Sequence, residues 1–317
     1  MQILDRIDRQ EISGLLARDE YFWLDLLDPG KEEAEALSEL FSFHPLALED
    51  MLKRNQRPKL EDYGDFMFLV YYAAGGGEGP EGGVWTGIDL NEIHAFLSGG
   101  YLVTVHQGAC RALDEVRQRL TAQPPRSEQF VVYRVLDGLT DTFFPVLDEI
   151  DEQIERLEGE IFARPTSEHL EQITELRRDL VSLRRIVTPQ RDLLARGIDD
   201  ILEIPGLEAD SRNYFRDIYD HAIRISDQID AYRDLLSGTR DAYLSVVSNR
   251  LNQITKQLTV VATVFLPLSF LVGFFGQNFK WLVVNISSEG AFWVLGIGSL
   301  VLSVVGLLAW FRRGSYI

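Results

Sequence analysis

Two stretches near the C-terminal end, residues 258–275 and 291–311, contain no charged side chain over 18 and 21 positions. At 1.5 Å rise, about 20 such residues cross the roughly 30 Å hydrocarbon core of a bilayer. Buried core helices seldom stay uncharged for so long, so the pattern predicts two membrane spans and makes the lipid bilayer a partner of the chain. Charge is distributed to match. Residues 250–317 hold five basic side chains (Arg250, Lys256, Lys280, Arg312, Arg313) and one acidic, Glu289, whereas residues 1–249 hold 26 Lys and Arg against 48 Asp and Glu. Arg250 and Lys256 precede the first span and Arg312-Arg313 follow the second. The positive-inside rule therefore puts both termini in the cytoplasm of a multi-pass protein of the inner or plasma membrane. Asn285-Ile286-Ser287 matches a glycosylation sequon, a chance match so close to the bilayer.

The formal net charge of -18 excludes nucleic acid as a partner, because phosphate binding needs a basic footprint. Cys110 is the single cysteine, which excludes an intramolecular disulfide framework and a Cys-based zinc site. The opening residues, Met1-Gln2-Ile3-Leu4-Asp5-Arg6, lack the apolar run of a secretory signal. The glycine run from Gly75 to Pro80 lacks the Gly-Lys-Ser/Thr ending of a phosphate loop, so no nucleotide is expected. His44, His94, His106, His169 and His221 show no metal-ligand spacing and read as structural, which disfavours a metalloenzyme.

Ahead of the spans, residues 1–107 read as a cytoplasmic α/β domain. Strands are expected at 22–26, 66–72, 84–90, 93–97 and Tyr101–His106, where aromatic and β-branched residues gather, with Gly99-Gly100 as a hairpin turn. Lys31–Phe41 and residues 45–53 read as short helices. Residues 108–210 form a cytoplasmic helical hairpin region, with one long helix at 127–162 and another at 167–196 after the Arg164-Pro165 break. Apolar residues at Ile218, Ile225, Ile229, Tyr232, Leu236, Tyr243, Val247, Leu251, Ile254 and Leu258 then keep one helical face continuous into the first span. Residues 211–275 are thus expected to form one helix of about 65 residues, a stalk over 211–257 and a span over 258–275. An outer loop over 276–290, the second span over 291–311 and a cytoplasmic tail over 312–317 complete the chain. The fold class is an α+β domain with a mixed sheet, a long-helix stalk and two C-terminal membrane helices.

Within the first span, Asn252, Thr255, Leu258, Thr259, Ala262, Leu266, Ser269, Gly273 and Gly276 recur at helical spacing. A stripe of small and polar residues fits close helix–helix packing or a water-filled path among symmetric copies. By itself the stripe fits packing better.

Gly276-Gln277-Asn278 closes that helix at the outer face, and here the chain resembles the CorA family of divalent-cation transporters, whose signature at this place is Gly-Met-Asn. Leu266-Pro267-Leu268-Ser269-Phe270 resembles the family's Met-Pro-Leu-Thr-Phe. The segments from Tyr214 to His221 and from His44 to Asp50, with Gln56-Arg57-Pro58-Lys59, also resemble family segments. The resemblance implies a funnel-shaped homopentamer that imports divalent cations passively. It further implies Gly276, Gln277 and Asn278 as selectivity filter, Asn252, Thr255, Leu258, Leu266 and Ser269 as pore lining, and Glu49, Asp50, Asp137 and Asp217 as ligands of regulatory metal between subunits. Mg²⁺ is the implied regulator and cargo, with Co²⁺ or Ni²⁺ also admitted.

Two features depart from the family pattern. Gln277 replaces Met, and Lys280-Trp281 stand where an acidic residue and a Met-Pro-Glu-Leu-like segment are usual, which weakens cation attraction at the mouth. Residues 250–288 contain no Asp, Glu, His or Cys, so every pore ligand is a neutral oxygen or a water. Such a pore suits hydrated Mg²⁺ and offers neither imidazole nor thiolate to Zn²⁺. A zinc-transporting branch of the same family also varies the middle signature residue. The alternatives are therefore a Zn²⁺ transporter and a non-conducting, membrane-anchored coiled-coil protein.

Overall fold

The computed structural model describes residues 1–75, 88–122, 127–207, 211–278, 280–286 and 288–313. The chain divides into two compact units, Met1–Arg240 and Asp241–Ile317.

In the first unit, strands β1 (Gln2–Leu4), β2 (Phe22–Leu27), β3 (Lys59–Asp62), β4 (Met67–Gly75), β5 (Asp89–Leu97) and β6 (Tyr101–His106) form one sheet in the order β1-β2-β6-β5-β4-β3. β1, β2 and β6 run parallel, while β5, β4 and β3 continue antiparallel. The mixed sheet agrees with the expectation. The expected strands at 84–90 and 93–97 merge into β5 over the described part, residues 84–87 lying outside the described residues.

β4 reads Met-Phe-Leu-Val-Tyr-Tyr-Ala-Ala-Gly and is apolar throughout because both of its faces are covered. Met67, Leu69 and Tyr71 point into one core together with Leu193, Leu194, Phe215 and Ile218 from the helices. The opposite face holds an aromatic layer in which Phe43 stacks on Phe96 at 4.0 Å and on Phe41 at 5.0 Å. Helices α1 (Arg9–Ala17), α2 (Lys31–Phe41) and α3 (Pro45–Leu52) precede the central strands. Asp8 caps α1 by accepting from the Gln10 and Glu11 amides, and His44 caps α3 by accepting from the Leu46 amide ahead of Pro45.

The helical part of this unit comprises α4 (Arg111–Ala122), α5 (Val131–Asp141), α6 (Phe143–Ala163), α7 (Ser167–Leu202) and the start of α8 (Arg212–Phe275). The single helix expected at 127–162 is instead a short 3-10 turn, Glu128–Phe130, followed by α5 and α6. Pro145 has no amide hydrogen to give the Asp141 carbonyl, so the ladder breaks there. Thr142 at the junction accepts from the Ala74 amide and donates to the Leu139 carbonyl, which ties the break to β4. α7 runs past the expected end at Arg196 to Leu202, with Gly197 admitting Leu60 of β3: a Cβ at Gly197 would meet Leu60 Cδ2 at 2.7 Å. α8 is continuous over 64 residues, Gly238 included, as its uninterrupted apolar face implied.

The second unit holds the remainder of α8, then α9 (Lys280–Asn285), α10 (Glu289–Ala291), a π-helical turn at Phe292–Gly298 and α11 (Ser299–Arg313). Two helices, Arg212–Phe275 and Glu289–Arg313, are long and apolar enough to cross a membrane. Their apolar side chains face outward, with Leu266 71% and Leu302 75% exposed. Hydrocarbon or further protein, not water, suits that surface.

Candidate functional site

Residues singled out from the sequence gather in two places, one in each unit. In the first, α5 places Asp137 and Asp141 one helical turn apart, and α8 brings His221 against them. One ligand atom from each of the three lies within 4.8 Å of the others. His221 Nδ1 is 3.1 Å from Asp141 Oδ1, and its ring meets Phe144 edge-on at 5.6 Å. Asp137 is half-buried. Burial raises its carboxyl above the usual range, the neighbouring Asp141 charge adds to this, and His221 opposes it. A carboxyl destabilised by a like charge is one that a bound cation relieves. Two carboxylates supply the oxygens that hard divalent ions require, and the imidazole adds a nitrogen that Co²⁺ or Ni²⁺ favours.

Of the four carboxylates implied as metal ligands, the structure brings only Asp137 into this cluster. Asp217 lies one turn before His221 on α8, exposed, with its carboxylate 3.9 Å from His221 Nε2. Glu49 and Asp50 sit at the end of α3 beside cations of their own chain. Glu49 pairs with Lys53 at 2.6 Å, and Asp50 accepts from Lys59 Nζ at 2.7 Å. Lys59 also bonds Glu61 at 2.8 Å; burial would lower its pKa, but these carboxylates outweigh burial and raise it. A metal ion at Asp50 would therefore compete with a lysine.

Asp141 and His221 are the residues that sequence reasoning missed. The signal was present as two pairs at i and i+4, Asp137 with Asp141 and Asp217 with His221, each on one helix face. The other histidines have structural partners. His44 caps α3, and His169 accepts from the Thr166 amide at the start of α7. His94 bridges Glu92 and the Met51 carbonyl. His106 bridges Asp25 and the Gly108 carbonyl.

In the second unit, Gly276 donates to the Val272 carbonyl at 2.9 Å as α8 ends, and Gln277 turns back to the Phe274 carbonyl at 3.3 Å. A Cβ at Gly276 would lie 3.0 Å from that Val272 oxygen, so the tight exit suits glycine. Gly276, Gln277 and Asn278 are exposed, and on one side they border an apolar cavity of about 570 Å³ formed with α9, the π-helical turn and α11. Asn252, Thr255, Leu258, Leu266 and Ser269 are all exposed in the single chain. Thr255, Thr259 and Thr263 each donate their hydroxyl hydrogen to the carbonyl four residues earlier, at 2.9, 2.8 and 2.8 Å. Their hydroxyl oxygens thereby present lone pairs outward, with no proton directed at a cation.

A family model described as CorA-like Mg2+ transporter protein matches residues 18–313. The cobalt/magnesium transport protein CorA of Thermotoga maritima is 32% identical over 279 residues, covering 87% of this chain and 76% of that protein. The complete structure of the CorA magnesium transporter from Methanocaldococcus jannaschii superposes with a TM-score of 0.79 at 25% identity, covering 93% of this chain and 91% of that one. The cytoplasmic domain of ZntB from Vibrio parahaemolyticus shares the fold, with a TM-score of 0.60 at 19% identity over 73% of this chain and 88% of that one. With its mixed-sheet unit, its 64-residue helix, its second apolar helix and a family match over nearly its whole length, this chain belongs to the CorA-like Mg²⁺ transporter family.

Proposed function

We propose that this chain is a membrane transporter of divalent cations, with Mg²⁺ as cargo, and that five copies surround one pore along α8. The observation that carries this is the exposed Gly276-Gln277-Asn278 turn at the end of an uncharged membrane helix, within a match to the family over residues 18–313. Both termini lie in the cytoplasm and the turn faces outward.

Mg²⁺ dehydrates reluctantly, so a ring of Asn278 side-chain oxygens and nearby carbonyls holds it through its water shell. Asn252, Thr255 and Ser269 offer further neutral oxygens along the path, while rings of Leu258 and Leu266 close it by dewetting. The membrane potential contributes about 2.3 kcal/mol per charge per 100 mV, hence about 4–5 kcal/mol for a divalent ion, which drives inward flux without a nucleotide motor. In the cytoplasm, Asp137, with Asp141 and His221 beside it, binds regulatory divalent cation. Glu49, Asp50 and Asp217 add carboxylates where neighbouring copies meet. Like charges repel when the ion leaves, which loosens the assembly and opens the pore.

Proteoliposomes carrying ion-specific dyes test the cargo. Mg²⁺ influx blocked by hexamminecobalt, a mimic of hydrated Mg²⁺, supports the proposal. Zn²⁺ influx with neither Mg²⁺ influx nor block by the mimic replaces it with a zinc transporter. Absence of any ion flux leaves a membrane anchor.

A further inference from the structure

A second charged cluster lies in the first unit, away from the carboxylates discussed above. Asp25 on β2 is 4% exposed and His106 on β6 is 7% exposed, both deep in the sheet. His106 Nδ1 faces the Gly108 carbonyl at 2.8 Å, and its Nε2 faces Asp25 Oδ1 at 3.3 Å. Both positions are acceptors, so only the doubly protonated ring donates to both. Asp25 Oδ1 also accepts from Thr104 Oγ1 at 2.6 Å, and that hydroxyl accepts from Trp23 Nε1 at 2.8 Å. The other carboxylate oxygen accepts from Arg117, which reaches in from α4.

Arg117 has a mechanical neighbour. The adjacent Val116 is pressed against Gly138 on α5 so closely that a Cβ at position 138 would lie 2.7 Å from Val116 Cγ2. Gly138 follows Asp137 directly and stands three residues before Asp141. The side chain that holds Asp25 therefore sits next to the one that fixes α4 against the backbone of both metal-cluster carboxylates.

We propose that Asp25, His106 and Arg117 form a proton-operated latch that seats α4 on α5 and thereby couples cytoplasmic pH to divalent-cation binding at Asp137 and Asp141. It rests on the reading of that cluster as a metal site. Asp25 from β2 and Asp114 from α4 act on His106, while Arg117 of α4 and Cys110 just before α4 interact in turn with Asp25. Its sheet partners Leu27 and Ile93 are apolar. Burial would lower the His106 pKa, but the bond and charge of Asp25 and the Gly108 carbonyl outweigh it and hold the pKa above the ordinary value. Burial would raise Asp25, yet His106, Thr104 and Arg117 hold it below the carboxylate range. The latch is thus complete at weakly acid pH, and it weakens as pH rises through the raised value of His106. A neutral His106 loses its charge and one of its two donated bonds, either to Asp25 or to the Gly108 carbonyl.

Trp23 reports on the latch, since its indole bonds Thr104 and its ring lies 6.0 Å from the Arg117 guanidinium carbon. Intrinsic fluorescence of the full-length protein in detergent is followed from pH 6 to 9, first in EDTA and then in saturating Mg²⁺, with Mg²⁺ binding measured by calorimetry. The parent shows a transition that is absent in Trp23→Phe and in His106→Gln. Mg²⁺ moves the parent's midpoint upward by about 0.3–1 pH unit, equivalent to a twofold to tenfold coupling. Val116→Ala keeps the transition and loses most of the Mg²⁺ shift, which provides a test even if His106→Gln fails to fold. A transition retained in His106→Gln, or a parent midpoint unmoved by Mg²⁺ that calorimetry shows to be bound, overturns the latch. Calorimetric Mg²⁺ binding that is the same in the parent and in Asp137→Asn with Asp141→Asn overturns the metal site beneath it.

Discussion

His221 on α8 and Asp141 on α5 come within 3.1 Å across 80 residues of chain, and this contact converts a pair of helix-surface carboxylates into a three-sided cluster. Asp137→Asn with Asp141→Asn removes two of the proposed ligands and lowers the affinity of the first unit for Co²⁺ by about 10-fold to 100-fold, read by calorimetry on the full-length protein. Unchanged affinity places the regulatory ion elsewhere.

Asp137 also makes a signed stability prediction. Its pKa is raised in the folded chain by burial and by Asp141, so the folded state holds its proton to higher pH than the unfolded state. This carboxyl therefore costs stability as pH rises from the ordinary carboxylate value through its own raised one. Asp137→Asn raises the metal-free Tm at pH 7.5 and reduces the further rise on adding Mg²⁺. A lower metal-free Tm in the variant contradicts the assigned cause.

Much of this architecture was legible in the sequence, and the failures have identifiable physical reasons. The spans and the 64-residue α8 were visible because charge-free runs and a continuous apolar face are local patterns. β1 has three residues, and β3 reads Lys-Leu-Glu-Asp on the sheet edge, so neither carries a strand pattern of its own. The α5–α6 break depends on Pro145 and on the Thr142 bond to β4, a tertiary contact. Asp137 was identified only through family resemblance. Asp141 and His221 escaped because their two i, i+4 pairs lie on separate helices, and nothing in the sequence says that α5 and α8 meet. The Asp25 latch was equally invisible, for its partners come from β2, β6 and α4.

Packing between sheet and helices sets the stability of the first unit. Phe215 on α8 is fully buried in the core that includes Leu69 and Tyr71. Phe215→Ala costs about 3–5 kcal/mol through lost burial and the cavity left behind. Urea unfolding of the first unit, followed through Trp23, checks this, and a loss below about 1 kcal/mol would mean that α8 is not anchored there.

Leu258 and Leu266 are exposed on the single chain, which fits the proposed lining of a pore. If Leu258 forms the proposed dewetting ring, Leu258→Asn makes it a hydrated one, and basal Mg²⁺ flux at high internal Mg²⁺ rises above the parent's. Flux that stays at the parent's level removes Leu258 from the gate.

Asn278 is the residue on which the proposed pore most depends, because its amide oxygens would hold the hydrated cation and residues 250–288 contain no Asp or Glu to replace them. The direct measurement is Mg²⁺ influx into proteoliposomes under a negative internal potential, comparing the parent with Asn278→Ala at equal reconstituted amounts. The parent should conduct, and Asn278→Ala should lose nearly all influx while its oligomer survives detergent extraction unchanged. Equal influx through both proteins would contradict the account.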